Sequence, residues 1–331
     1  FHIQVTHGIL GTCTEDSMRN LYVERTGNQT GRPTVMLDAH TDEVGFIVRV
    51  IRPDGMLEFM PLGGWIANNV PAHMVRILNK DGIYIPGVVA SKPPHYMSEA
   101  ERKAPLELTS LVIDVGACSA EEVINDYKIG LAAPIVPDVK ASYDEAHDVL
   151  WGKAFDCRIG CAAQITALEQ LAGEELKVNV VGAFTTQEEV GTRGAVVASS
   201  RIKPDIAIVF EGCPADDTVL PAYAAQTVLR KGPMLRHIDA RMITNPRYQR
   251  FTLELAHKNN ILVQEGVRNG GATNGASIHL SGQGVPVIVI GVPVRYAHTH
   301  YGICSYVDFH HAVKLGVEVL RNLDKDIIDS F

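Results

Sequence analysis

The sequence predicts an α/β fold, a three-layer α/β/α domain with a smaller β-rich domain inserted into it. Three observations carry that prediction. Four short runs are almost uniformly apolar, as strands buried on both faces of a parallel sheet must be: TVMLD (34–38), VNVVGAFTT (178–186), DIAIVFEG (205–212) and VPVIVIGVP (285–293). Patterns of helical period lie between and after them. The stretch from about 64 to 150 breaks this alternation, with short β-like runs set among turns.

In chain order, TVMLD is the first buried strand. The different stretch follows, in which MVRILN, GIYIPGVV and LTSLVIDVG are separated by turn sequences such as NKDG and SKPP, where Gly and Pro bend the chain. One short helix, SAEEVIND, interrupts it. The insertion is read as entered near Gly63–Gly64 and left near Trp151–Gly152, so residues 1–63 and 151–331 form the α/β domain and 64–150 the inserted one. RIGCAAQITALEQLAG (158–173) predicts a helix ending in Gly173. PRYQRFTLELAHKNN (246–260) predicts another, and SYVDFHHAVKLGVEVLRNL predicts a last amphipathic helix over about 307–323.

The bulk numbers exclude several functions. The 331 residues give enough chain for a large core, and no apolar run reaches transmembrane length, so a membrane partner is not expected. Hydrophobic content of 46% and charged content of 21% are ordinary for a globular protein. A formal charge of −8 without a basic block argues against nucleic acid as a partner. Six scattered cysteines with no CxxC pair, and no secretory pattern at the start of the given sequence, predict free thiols in a reducing cytoplasm. Cys157 and Cys161 are four apart and would share a helix face, where small buried side chains are the ordinary use.

In open α/β sheets ligands collect at the carboxyl ends of the strands. After TVMLD comes Ala39-His40-Thr41-Asp42; after VNVVGAFTT come Glu188 and Glu189; after DIAIVF comes Glu211; after VPVIVIGVPVRY comes Ala297-His298-Thr299-His300. The turn before the first long helix, GKAFDCR, supplies Asp156. Taken singly, each has a plain structural use: a satisfied histidine, a turn residue at Asp42, a helix cap at Asp156, a surface acid at Glu211. Their coincidence at successive strand ends argues for chemistry instead. Two imidazoles and three carboxylates can hold a pair of divalent ions, one carboxylate bridging, and such donors suit zinc, cobalt or manganese. Asp42 could accept a hydrogen bond from His40 and aim the other ring nitrogen at a metal. Two adjacent ions can generate a hydroxide and polarise a carbonyl, and a further carboxylate beside them would serve as general base.

The motifs AHTDEVGF, GKAFDCRIGC, TTQEEVGTRGA, GGATNG and RYAHTH resemble, in this order, those of the tetrahedral aminopeptidases, family 42 of the metallopeptidases, some of whose members carry the label endoglucanase. The resemblance runs from about residue 34 to the C-terminus, includes SKPPH and DVGACSAEE in the insertion, and lapses over the first thirty residues. It implies the α/β fold of the two-zinc aminopeptidases and the hydrolysis of N-terminal residues from peptides. It implies His40 as ligand of one metal with Glu211 beside it, where the family has aspartate. Asp156 would bridge, Glu189 and His298 would hold the other metal, and Glu188 would be the general base, with Asp42 supporting the first histidine. It also implies a homo-oligomer, commonly a dodecamer enclosing the active sites, with the inserted domain making subunit contacts.

Three positions depart from the family pattern. Cys157 follows Asp156 where the family has Asp or Asn, and a thiol there can pack, sense oxidation or bind metal. Asn274 in GGATNG replaces an aspartate, and Glu211 is one methylene longer than the usual residue. His300 is the competing second histidine, two residues past His298. A related two-metal amidohydrolase, such as a deacylase or carboxypeptidase, would share the ligand types. A non-catalytic scaffold is the reading from another class, although all five ligand types and Glu188 are present. A glycoside hydrolase would need an acid and nucleophile pair outside the metal site, and each candidate acid is better used as a ligand.

Overall fold

The computed structural model describes residues 10–331, which form two compact units. The first contains the chain up to Asp42, then Ser142–Ala297 and Gly302–Phe331. Its eight-stranded sheet runs in the order Gly11–Glu15, Leu21–Arg25, Asn179–Thr185, Thr34–His40, Ile206–Pro214, Val287–Val294, Met234–Ile238, Gln264–Val267. The four central strands are mutually parallel. Leu21–Arg25 and Met234–Ile238 flank them in the antiparallel sense.

Period-two alternation sends successive side chains to opposite faces. Val35, Leu37, Ala39, Ile208 and Phe210 join one core with the helices Phe155–Gln170, Pro246–Lys258 and Tyr306–Asn322. Met36, Ala207, Val209, Val287 and Val289 join a second core with Ala195 and Ala198 of helix Arg193–Ile202. Both faces are covered, which is why these runs show no polar alternation and why the unit has three layers. Two strands run further than the apolar pattern suggests: the first continues through Ala39 to His40, and Ile206–Pro214 passes straight through Glu211. The first long helix stops at Gln170, and Gly173 lies in the turn beyond it at φ +77°.

The second unit comprises Glu43–Ala141 with His298–Tyr301. Its centre is a closed barrel in the order Gly45–Ile51, Leu57–Leu62, Val112–Asp114, Tyr84–Ala90, Met74–Leu78, Pro134–Pro137. Phe46, Leu57, Val75, Ile77, Val89, Ile113 and Ile135 fill it. Where the sequence reading enters the insertion at Gly63–Gly64, this unit begins twenty residues earlier, because the strands before that glycine pair are barrel strands. At the other end, Ser142–Asp144 and Val149–Gly152 pair with each other and with Gly302–Cys304, which keeps them in the first unit. No helix among the described residues is long and apolar enough to cross a membrane.

Candidate metal centre

His40 is the last residue of its strand and is 1% exposed. Its Nδ1 lies 3.2 Å from the backbone carbonyl of Asp42, and its Nε2 faces a semicircle of acids. Asp156 Oδ1 stands at 3.1 Å, Glu211 Oε1 at 3.4 Å and Glu188 Oε2 at 3.9 Å. The ring is further held by its own main chain, since Cys161 Sγ donates to the His40 carbonyl at 3.1 Å.

Asp156 is delivered by an irregular start to the first long helix. Ala154 takes a left-handed conformation, the Asp156–Cys157 peptide is cis, and Asp156 and Cys157 have non-helical backbone angles. Asp156 is therefore no helix cap. It projects from a bend packed against Ile206–Pro214, and glycine at 212 is what permits the approach. A Cβ there would meet the Phe155 carbonyl oxygen at 2.5 Å and Asp156 Cα at 2.8 Å. Cys157 turns inward, fully buried, and its Sγ donates to the Phe210 carbonyl at 3.1 Å.

Glu188 and Glu189 follow the strand Asn179–Thr185 across Gln187, whose φ is +59°. The sequence reading gives the Asp42 carboxylate to His40. Its nearest oxygen is 3.6 Å from Nδ1, too long for a hydrogen bond. That carboxylate instead accepts the amide of Glu188 at 3.0 Å and the amide of Glu189 at 3.1 Å, so one side chain fixes the backbone of both glutamates.

The electrostatics show strain among like charges. Burial pushes Glu188 up to about 8, reinforced by Glu211, Asp156 and Glu189 and opposed by His40. Burial opposes the His40 imidazolium, but Cys157, Glu211, Asp156 and Asp42 outweigh it and hold the ring well above its usual range. Burial also works against ionisation of Asp42, yet His40 and the amides of Glu188 and Glu189 keep its carboxyl below the carboxylate range. Acids gathered this closely hold protons or take up a cation between them. The donor atoms of His40, Asp156 and Glu189 lie within 4.8 Å of one another, as do those of His40, Cys157 and Glu211. Nitrogen and oxygen donors at such spacing fit divalent ions.

Below the site is a network of which the sequence reading singles out only Asn274. Asp38, fully buried, accepts from Thr185 Oγ1 at 3.0 Å and from Asn274 Nδ2 at 2.8 Å. Asn274 also donates to Thr185 Oγ1 at 2.8 Å. Burial pushes Asp38 up to about 7 against these hydrogen bonds. The available signal was an acid inside an otherwise apolar strand. Asn274 thus donates to a buried carboxylate, which an aspartate could do only when protonated.

His298 belongs to the second unit, with φ +61°, and its Nδ1 is 2.9 Å from the Gly64 carbonyl. His300 is buried in that same unit, stacked on His73 with ring centroids 4.0 Å apart.

The layered α/β sheet gathers imidazole and carboxylate groups at a strand end, donor types that suit a metal-dependent hydrolase. A family model described as M42 glutamyl aminopeptidase matches residues 19–315, and the chain belongs to that family. The glutamyl aminopeptidase of Lactococcus lactis subsp. cremoris (strain MG1363) is 32% identical over 311 residues, 94% of this chain and 86% of the relative. Among solved structures, a TET aminopeptidase from a marine sediment archaeon of the Thaumarchaeota superposes with a TM-score of 0.92 at 35% identity, covering 96% of this chain and 89% of that one. The TET1 peptidase of Pyrococcus horikoshii, described as able to assemble into a tetrahedron or a large octahedral shell, gives 0.84 at 27% identity over 95% and 90% of the two chains. As a member of this family the chain is a peptidase, a hydrolase of peptide bonds.

Proposed function

We propose that the chain is a two-metal aminopeptidase that removes N-terminal residues from peptides. The convergence of Asp156, Glu188 and Glu211 on His40 Nε2 carries this reading, because divalent cations would balance an acidic cluster so tight and so buried. By family likeness, His40 and Glu211 would hold one ion, Glu189 and His298 would hold the other, and Asp156 would be shared between them. Zinc or cobalt suits these donors best, with manganese the alternative. Bound ions supply the positive charge that activates water and polarises the scissile carbonyl.

The remaining work falls to the chain. Glu188 stays off the metals, takes a proton from the attacking water on its carboxylate and passes it to the nitrogen of the leaving peptide. Asp42 fixes the amides of Glu188 and Glu189, so base and ligand keep one spacing. Asp38, Thr185 and Asn274 brace the strand end that carries His40. We further infer a cytoplasmic homo-oligomer, a dodecamer by family likeness, whose barrel units supply subunit contacts. Its partners are then its peptide substrates and its own copies.

The reading is tested on metal-free protein reconstituted with zinc, cobalt or manganese and offered matched peptides with free amino termini, blocked amino termini and blocked carboxyl termini. Metal-dependent cleavage requiring the free α-amine is expected. Equal cleavage of blocked amino termini would overturn it in favour of a deacylase, and a free-carboxylate requirement would favour a carboxypeptidase. Metal-loaded protein that cleaves none of these peptides would leave only the scaffold reading.

A further inference from the structure

We propose that Cys157 supplies a sulfur donor to the metal held by His40 and Glu211. This rests on the reading above that an ion sits between those two residues, and extends it to a position outside the expected ligand set.

The side chains of His40, Cys157 and Glu211 are all buried, and their donor atoms lie within 4.8 Å of one another. This group is separate from the one formed by His40, Asp156 and Glu189, and it shares only the histidine. The thiol is held in place at one side. Its Sγ donates to the carbonyl of Phe210, the residue before Glu211. On that same side Gly160 leaves the space the sulfur occupies, since a Cβ there would sit 2.5 Å from Sγ and 2.6 Å from the Phe210 oxygen. Cys161, one turn along the helix, is committed to the His40 carbonyl and joins neither donor group.

The sulfur lies close enough to donor atoms of a histidine and a glutamate for one ion to reach all three. Metal binding replaces the S–H bond with a sulfur–metal bond, gives up the hydrogen bond to the Phe210 carbonyl and releases the proton to solvent, with no change of oxidation state. Sulfur is a soft donor, so a nitrogen, oxygen and sulfur set favours zinc, cobalt and cadmium over manganese or magnesium.

The test uses the full chain, stripped of metal and titrated with Co(II). A thiolate-to-cobalt charge-transfer band in the near ultraviolet is expected beside the visible ligand-field bands. Cys157→Ser should lose that band while keeping the visible bands, and Cys161→Ser should keep both. The zinc-over-manganese preference of Cys157→Ser should fall by about 10-fold or more. Should that variant not fold, X-ray absorption of the zinc-loaded unaltered protein decides. A sulfur shell at about 2.3 Å supports the proposal, and only nitrogen and oxygen at about 2.0–2.2 Å overturns it. Cobalt bound with visible bands but no charge-transfer band removes the sulfur ligand and leaves the metal site standing. Failure to bind cobalt or zinc at all overturns both.

Discussion

Glu188 and Glu189 are adjacent carboxylates held through their backbones by one acceptor, Asp42. That arrangement separates two effects by mutation. Glu188→Gln removes the proposed proton acceptor without touching the proposed metal ligands, so turnover should fall by roughly 10²- to 10⁴-fold while metal content by elemental analysis stays unchanged. Near-normal turnover would remove Glu188 from the role of base. Asp42→Ala should act differently, because it frees the backbone of a ligand as well as the base. Metal affinity and kcat should both drop, each by about 10- to 100-fold, which competition with a chelating dye and steady-state kinetics would read. These positions were visible in the sequence because they are charged residues beside apolar runs. The partner Asp42 takes was not, because a carboxylate two residues from a histidine has several acceptable donors and only the fold chooses among them. Asp38 escaped for the opposite reason: it lies inside the apolar run, where local pattern suggests packing.

At the level of elements, the site depends on how closely the bend before helix Phe155–Gln170 approaches the strand Ile206–Pro214. Gly212→Ala would force a Cβ against Phe155 and Asp156. We expect about 1–3 kcal/mol of destabilisation by urea unfolding, as for other overpacked cores, together with weaker metal binding as Asp156 is displaced. Unchanged stability would mean that the bend is more pliable than its contacts indicate. The central strands were legible from composition alone, since burial on both faces leaves few places for polar residues. The strands Gly45–Ile51 and Leu57–Leu62 were not assigned to the barrel, because their pairing partners, among them Pro134–Pro137 and Val112–Asp114, come from far along the chain. Local pattern reports that a segment is extended, not which sheet will take it. The N-terminal hairpin Gly11–Glu15 and Leu21–Arg25 was missed likewise, its short strands giving little apolar signal.

For the molecule as a whole, the metal-free fold holds protons on its buried acids. Unfolded, Asp38 and Glu188 ionise near ~4; in the metal-free fold they are pushed up to about 7 and about 8. The folded chain therefore retains protons that the unfolded chain releases, and the associated stability, complete below ~4, is lost as pH rises through 7 and 8. His40, also raised, acts in the same direction above its usual range. Chelator-treated protein should accordingly melt at lower temperature at pH 8.5 than at pH 6, and saturating zinc should shrink the difference. A melting temperature that climbs with pH in the metal-free protein would contradict this. The strand order has a temporal consequence as well. Asn179–Thr185 lies between Leu21–Arg25 and Thr34–His40, so two segments close in sequence are joined only through one made about 140 residues later. A nascent chain can therefore complete its barrel while the parallel sheet still lacks its middle. Metal capture becomes a late event in biogenesis, and uptake of a fluorescent zinc reporter during refolding should lag behind the appearance of β-structure.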